Sequence, residues 1–522
     1  MVSRSPGSPA DAARDWARSG VLPLTGHSTG SPLVPVGDAA SWAGRMADHL
    51  ELATRDSRHP VRIDGARLLS ERAALSGSGR RGRLSVGGSC RLLPTLDGWA
   101  AVSSARPDDP LLWSALIGRE LDERLPERLA DWLAAHSGAE LDERAELLSL
   151  AAGSVRALGQ HAGCAGYAGY AGYANGADSA DHADRTDGTD GTDGTDRAES
   201  ADGTGDPDGT NSAGNASKGG KAGSTNGAGG ADSTDRRRER LWPGRPRSVE
   251  GLLVVDFSAL WAGPLCAHLL GLAGADVVKV EIPSRPDGAR LGNRAFYDLL
   301  HGGHRSVALD PADPAERAAL HALVRRADIV IEASRPRALA RFGLDARAEV
   351  ARGCTWVSIT ACGRASDRVG FGDDVAAANG LLAYDGQGLP VFCGDAIADP
   401  LTGLTAAALA LTEPEGGGGM LWDVAMADVV AATVHAGATA PEPRAEQAGT
   451  SWSVADVVAP TVHAGAAAPE ARAEQAGTGW VVDTGEERVP VAAPMARTPL
   501  AAASELGADT GAVLRQFGIC AP

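Results

Sequence analysis

Apolar and polar positions divide this chain into three stretches with different rhythms. From about Trp16, apolar residues recur at helical spacing. RMADHLELA (45–53) and RLLSERAALSG (67–77) each predict a helix, the second ended by Gly77. CRLLPTLDGWAAVSS (90–104) has the strand, Asp-Gly turn and strand of a hairpin. PLLWSALIG and RLADWLAAH are again amphipathic helices. After residue 249 short apolar runs (GLLVVDF, ADVVKVEI, DIVIEA, TWVSITAC) alternate with helical stretches (AGPLCAHLLGLAG, AERAALHALVRRA). Runs of that kind are strands buried on both faces. The alternation predicts an α/β fold, a Rossmann-like doubly wound parallel sheet, with a smaller α+β domain before it.

Between these stretches, from about Gly163 to Arg240, no apolar period survives. AGYAGYAGY, TDGTDGTDGTD and Gly/Ser/Asn/Ala-rich sequence follow one another. Such sequence buries too little apolar surface to offset its ordering entropy, which predicts a disordered linker, taken as 163–245. Some 75 residues of it would reach roughly 50 Å. The TDG run matches neither calcium-loop spacing, and Arg236, Arg237, Arg238 and Arg240 read as a solvated linker end. The tail repeats itself: DVVAATVHAGATAPEPRAEQAGTSW at Asp428 recurs, slightly altered, at Asp456, a shift of 28 residues. This marks a local tandem duplication, and His435 and His463 are its products rather than a metal pair. The divisions are then 1–15 (disordered), 16–162, the linker, 246–430 and the duplicated C-terminal segment 431–522.

Charge and composition exclude several classes. A net charge of −18 argues against a general nucleic-acid binder and suits a cytoplasmic protein. Seven scattered cysteines without a CxxC pair predict neither a disulfide framework nor a zinc site. The N-terminus has no apolar signal region. The uncharged stretch Phe257–Ala275 carries His268, Pro264 and glycines, so no membrane span is expected.

Two segments carry candidate chemistry. In VVDFSALWAGPLCAHLLGLAGADVVKVE (254–281) a strand ends near Phe257 and small residues open a helix around Ala262–Pro264. Helix N-terminal N–H groups attract anions, and the carboxyl ends of parallel strands usually hold ligands. The same small residues would also serve plain helix–strand packing. There is no GxGxxG, so a dinucleotide is poorly supported. In LPVFCGDAIADPLTGLTAAALAL (389–411) Asp399 reads as an N-cap with Pro400 at the first helical position.

The first segment resembles the opening of family III coenzyme A transferases (the CaiB/BaiF-like acyl-CoA transferases), in which a strand ending D-[LF]-[ST] leads to AGP and then GADV-[IV]-KVE. HRSVALDPADPAE at His304, ADIVIEASRPRALARFGL at Ala327, VSITACG at Val357 and DVAMADVV at Asp423 resemble further blocks in the same order. The ordered match spans about 180 residues. The resemblance implies that coenzyme A lies along Trp261, Ala262, Leu309, Asp310, Ala333, Ser334 and Arg335, with Arg341 on a phosphate. Ser334 and Arg335 replace apolar or glycine residues, and Trp261 sits where some relatives carry an amide. It also implies that Asp399 is the nucleophile, with Asp395 the competing carboxylate. Its oxyanion would meet a glycine loop, either Gly87–Gly88 or Gly416–Gly419.

SGVLPLTGHSTGSPLVPVGDAASWAG (19–44) looks like a second version of NGLLAYDGQGLPVFCGDAIADPLTG (379–403), with Ala40 or Ser41 in the place of Asp399. Residues 16–160 then resemble the latter part of one transferase unit and 249–522 the front of another, fused and rearranged. The implied function is CoA transfer between an acyl-CoA thioester and a carboxylic acid through an aspartyl intermediate, a transfer of a sulfur-containing group. Coenzyme A is substrate, and no permanent cofactor or metal is needed. The family pattern implies a homodimer, which the fused halves could replace. One alternative is a non-catalytic acyl-CoA-binding or scaffold paralogue. A second is an acyl-CoA epimerase or racemase, against which counts the lack of histidine between Arg364 and Asp399.

Overall fold

The apolar runs after residue 249 become the strands of one sheet. In chain order these are Leu253–Asp256, Asp276–Glu281, Arg305–Ala308, Ile329–Glu332, Thr355–Thr360, Met420–Ala425 and Ser451–Ser453. Every neighbouring pair is parallel. Counted in chain order, they lie side by side as 3-2-1-4-5-6-7. This is the doubly wound order, and it opens a crevice at the carboxyl ends of strands 1 and 4, where the winding reverses. The computed structural model describes residues 8–156, 244–333, 336–414, 417–434, 451–453 and 471–520, and these belong to one compact unit. The expected linker, the TDG run, the four-arginine cluster, Ser334, Arg335, His435 and His463 lie outside the described residues.

Strand side chains alternate between two cores because successive Cβ atoms point to opposite faces. Val254, Ile329, Ile331, Val357 and Val424 join the helices Ala262–Leu272 and Ala398–Ala410 on one face. Leu253, Val255, Val278, Val330 and Trp356 join the helix Pro314–Val324 on the other. Each fully buried aliphatic side chain contributes ~1.5–3 kcal/mol relative to exposure. The third strand would leave an unpaired edge, and the tail covers it. Ser306 N donates to Asp509 Oδ2 at 2.8 Å and Asp509 N donates back to Ser306 O at 2.9 Å. The short helix Thr510–Gln516 then packs Val513 and Leu514 into the second core.

Residues 8–156 build onto the first core. Helix Ala39–Thr54 lies along Ala398–Ala410, and Trp42 Nε1 donates to Thr405 Oγ1 at 3.0 Å. The loops before these two helices share a Gly-Asp-Ala sequence whose glycine has positive φ, 76° at Gly37 and 66° at Gly394. The hairpin Cys90–Pro94 and Trp99–Ser103 forms as expected and gains a third strand, Ala152–Ser154. Helices Asp109–Ile117, Leu125–Ala135 and Gly138–Leu148 complete this small α+β layer. RLLSERAALSG is not one helix. It is split into Gly65–Leu68 and Glu71–Ser76, because Ser70 turns to place its hydroxyl on Ser19 O.

Several buried histidines carry a pH consequence. His268, His301 and His304 cluster under the second and third strands, with ring centroids 5.6 Å apart for His301–His304 and 6.2 Å for His268–His304. Burial, then the Lys279 charge, pushes His304 down to about 3. A base whose folded pKa lies below its unfolded value of ~6.5 stays neutral in the fold but takes up a proton when unfolded. Stability is therefore lost as pH falls below 6.5, by up to ~1.4 kcal/mol per pH unit per group. Replacing His304 by Gln is expected to flatten the fall of Tm between pH 6.5 and 4. An unchanged slope would remove His304 from this role.

Candidate active site

Two helix N-termini meet at the reversal point. Gly403, in the second turn of Ala398–Ala410, faces Ala262 at the start of Ala262–Leu272, and a Cβ there would lie 2.4 Å from Ala262 O. Only glycine lets these helices approach so closely. Gly263 likewise seats against Ser258, with Ala333 beside it. Trp261, Ala262 and Ala333 are thus brought together at the carboxyl ends of strands 1 and 4. Leu309 and Asp310 follow the third strand, two strands away. Leu309 turns its side chain into the opposite core and gives its N–H to Glu281 O at 3.1 Å. Arg341 is exposed just after the short helix Pro336–Ala340.

Asp399 is not the N-cap that its Asp-Pro sequence suggests. The helix starts at Ala398 with Ile397 as cap, so Asp399 and Pro400 are its second and third residues. A tight turn, Gly394–Ile397, precedes it, and the Asp399 N–H is spent on Ala396 O at 2.9 Å. The carboxyl group is left for the site. Ala396 adopts φ 44° in that turn and Leu260, just before Trp261, adopts φ 70°. Non-glycine residues pay ~1–2 kcal/mol for such a backbone, and strain of this kind concentrates at functional sites.

Around Asp399 stand three further carboxylates and one cation. Asp373 and Asp374 come from the short helix Gly372–Ala378. Asp373 accepts from Ala396 N at 2.8 Å, and Asp374 from Ser103 Oγ at 2.8 Å and Phe371 N at 3.0 Å. Asp395 is clamped by Arg72, from Nε at 2.9 Å and Nη2 at 2.5 Å. The same guanidinium lies over the Trp261 ring, 4.9 Å from its centroid. Trp261 is buried, and among the described residues its indole N–H has no acceptor.

Burial raises all three unclamped acids. Asp373 is pushed up to about 6, with Asp395 adding repulsion and Arg72 opposing it. Asp374 is pushed up to about 7, against hydrogen bonds from Ser103 and Phe371. Asp399 is pushed up to about 7 by burial, while Arg72 and the Gly372 N–H favour its charged form and Asp373 and Asp374 disfavour it. Asp399 keeps partial solvent access. A carboxylate that titrates near neutrality is a stronger nucleophile than an ordinary one and is still substantially ionised.

Of the two glycine loops, Gly87–Gly88 belongs to this site. A Cβ on Gly87 would lie 3.5 Å from Arg72 Nη2 and 3.9 Å from Asp395 Oδ1. Gly419 packs instead under Val350 O and Cys354 O at the start of the sixth strand. Arg72, Asp373 and Asp374 were not singled out by sequence. GDD at 372–374 carried a signal, two adjacent acids at the start of an alanine-rich stretch. Arg72 looked like any solvated helix arginine.

Residues 249–459 match the family described as CoA-transferase family III. The succinate–glutarate CoA-transferase of Agrobacterium fabrum is 30% identical over 216 residues, which cover 37% of this chain and 54% of that protein. The human succinyl-CoA:glutarate CoA-transferase is 32% identical over 187 residues, covering 32% and 43%. The formyl-CoA:oxalate CoA-transferase of Rhodopseudomonas palustris strain TIE-1 is 30% identical over 181 residues, covering 30% and 40%. The chain spans about half the length of the curated relatives it matches. A solved CAIB/BAIF family protein from Brucella suis is 28% identical with a TM-score of 0.33, over 36% of this chain and 55% of that one. No described helix is long and apolar enough to cross a membrane. Among the described residues no group of three His, Cys, Asp or Glu could hold a metal ion.

Proposed function

We propose, from the match of residues 249–459 to CoA-transferase family III, an enzyme that moves CoA between an acyl-CoA thioester and a carboxylic acid, with Asp399 as nucleophile. The observation that carries this reading is the placement of Asp399. It sits in the first turn of a thirteen-residue helix whose Gly403 packs against Ala262 at the reversal point of the sheet, and its Oδ2 lies against Gly372.

The reaction balances without redox or net proton transfer. Asp399 attacks the thioester carbonyl, the C–S bond breaks, and CoA leaves as thiolate from a mixed anhydride. The thiolate attacks the Asp399 carbonyl carbon and expels the first acid, leaving an aspartyl-CoA thioester. The incoming carboxylate repeats these steps in reverse. Covalent catalysis divides one difficult transfer into easier ones. The helix N-terminus and Arg72 favour the charged form of Asp399. The backbone N–H of Gly87 is the candidate to hold the oxyanion, since that of Gly88 is given to Ser85 O at 2.9 Å. Coenzyme A would run from Trp261 and Ala262 toward Leu309 and Asp310, with Arg341 on a phosphate.

The named activities of the relatives suggest short dicarboxylic acids as a first panel. Residues 16–160 are read as the latter part of a second transferase unit. The matching Gly-Asp-Ala loops and the side-by-side helices Ala39–Thr54 and Ala398–Ala410 support this. The test is exchange: labelled glutarate, succinate or oxalate is incubated with succinyl-CoA or formyl-CoA, and label is sought in the thioester pool. Label is expected from at least one pair. Binding of CoA esters without any exchange would favour a non-catalytic binding protein.

A further inference from the structure

Arg72 lies outside the segment that matches the family, yet it reaches the centre of the site. Its helix, Glu71–Ser76, is fixed from behind. Glu71 is buried and receives Arg497 Nε at 2.6 Å and Nη2 at 2.9 Å. On the other side, Arg72 spends Nε and Nη2 on Asp395, and Trp261 covers one face of the guanidinium. A planar fork held on an edge and a face is fixed in orientation. Among the described residues it is the cation that acts on Asp399, against Asp373 and Asp374. Asp395, its bidentate partner, in turn repels Asp373.

We propose that Arg72, supplied by the N-terminal segment, is the positioning residue that keeps Asp399 ionised, and that Asp395 sets how much of the Arg72 charge Asp399 feels. Neither side chain needs to touch substrate for this. Without Arg72, Asp399 would face Asp373 and Asp374 without that counter-charge and would hold its proton at neutral pH. Without Asp395, the Arg72 charge would be unshared and Asp399 would ionise more readily. The two substitutions therefore act with opposite sign, whereas a purely structural ion pair would fail in the same way whichever partner is removed. The inference rests on Asp399 being the nucleophile only for its catalytic meaning. The ionisation itself is measured without substrate.

The measurement is thermodynamic linkage. The Tm difference between protein with Asp399 and its Asp399→Asn counterpart is followed from pH 5 to 9, and it changes slope where Asp399 titrates. In the natural background the bend is expected near pH 7. With Arg72→Met it is expected at least about one pH unit higher, a tenfold change in ionised fraction. With Asp395→Asn it is expected lower, and with Arg72→Lys close to the natural value. Should Arg72→Met not fold, Arg72→Lys and Asp395→Asn still decide. A bend that stays in place, or moves the same way in the Arg72 and Asp395 variants, overturns the proposal. Loss of exchange in Asp399→Asn is a separate result that bears on the nucleophile alone.

Discussion

Replacing Asp399 by asparagine is expected to abolish CoA exchange, by about 10⁴-fold or more, while making the protein more heat-stable at pH 8. The first effect follows from the chemistry. An amide cannot form the mixed anhydride, and enzymes that lose a covalent nucleophile fall by several orders of magnitude. The second follows from the electrostatics. The folded pKa of Asp399, about 7, lies above the unfolded value of 3.8. The folded state therefore holds the proton more tightly than the unfolded chain. This favours folding at low pH and is lost as pH rises toward 7. Above pH 7 the ionised group stands buried beside Asp373 and Asp374, and its removal relieves the fold. A rise in Tm of roughly a few degrees at pH 8, shrinking toward pH 4, is the expected signature. Loss of activity with loss of stability at every pH would mark Asp399 as a structural residue.

Placing a methyl group on Gly372 is expected to cost more than its size suggests. Its Cβ would lie 2.3 Å from Ala396 O and 2.5 Å from Asp399 Oδ2. Both are far inside contact distance, and both belong to the turn that presents the nucleophile. The backbone must shift, so Asp399 moves with it and loses the Gly372 N–H that favours its charge. Overpacking of this kind costs ~1–3 kcal/mol, and a misplacement of about 1 Å at a reacting group can cost about 100-fold in rate. Gly372→Ala should therefore lower kcat about 100-fold with a modest fall in Tm. Gly386→Ala provides the contrast, since a Cβ there meets nothing within 4 Å. It is expected to leave both rate and Tm unchanged.

The main sheet was legible because its strands are continuous β-branched runs closed by Gly or Asp, as in GLLVVDF and DIVIEA. Contacts that span the chain were not legible. The partner of Arg72 is 323 positions away, and Glu71 and Arg497 are 426 apart, so no local window contains either pair. The helix start is two residues earlier than the Asp-Pro pair suggests, with Ile397 rather than Asp399 as cap, because Asp-Pro is a strong local cap signal. The Gly394–Ile397 turn before it gives a weaker signal, since one of its two positive-φ residues is an alanine, Ala396. The cover over the third strand escaped notice for another reason. Asp509 and Thr510 act through side-chain bonds to the strand backbone, at 2.8 Å to Ser306 N and 3.0 Å to Ala308 N, and that leaves no apolar period to read. The N-terminal segment resembles the latter part of a transferase unit, but nothing local in it says which residues reach Asp399; its packing into the first core brings Arg72, Gly87 and Ser103 to the site.

The most direct test of the central claim is to trap the intermediate. The protein is mixed with an acyl-CoA that supports exchange, quenched and digested, and the peptide 389–411 is examined by mass spectrometry with and without hydroxylamine. The expected result is CoA joined as a thioester to Asp399, converted to the hydroxamate by hydroxylamine and absent from Asp399→Asn. Exchange that proceeds with no adduct on this peptide, or with the adduct on Asp395, would contradict the assignment of Asp399 as nucleophile.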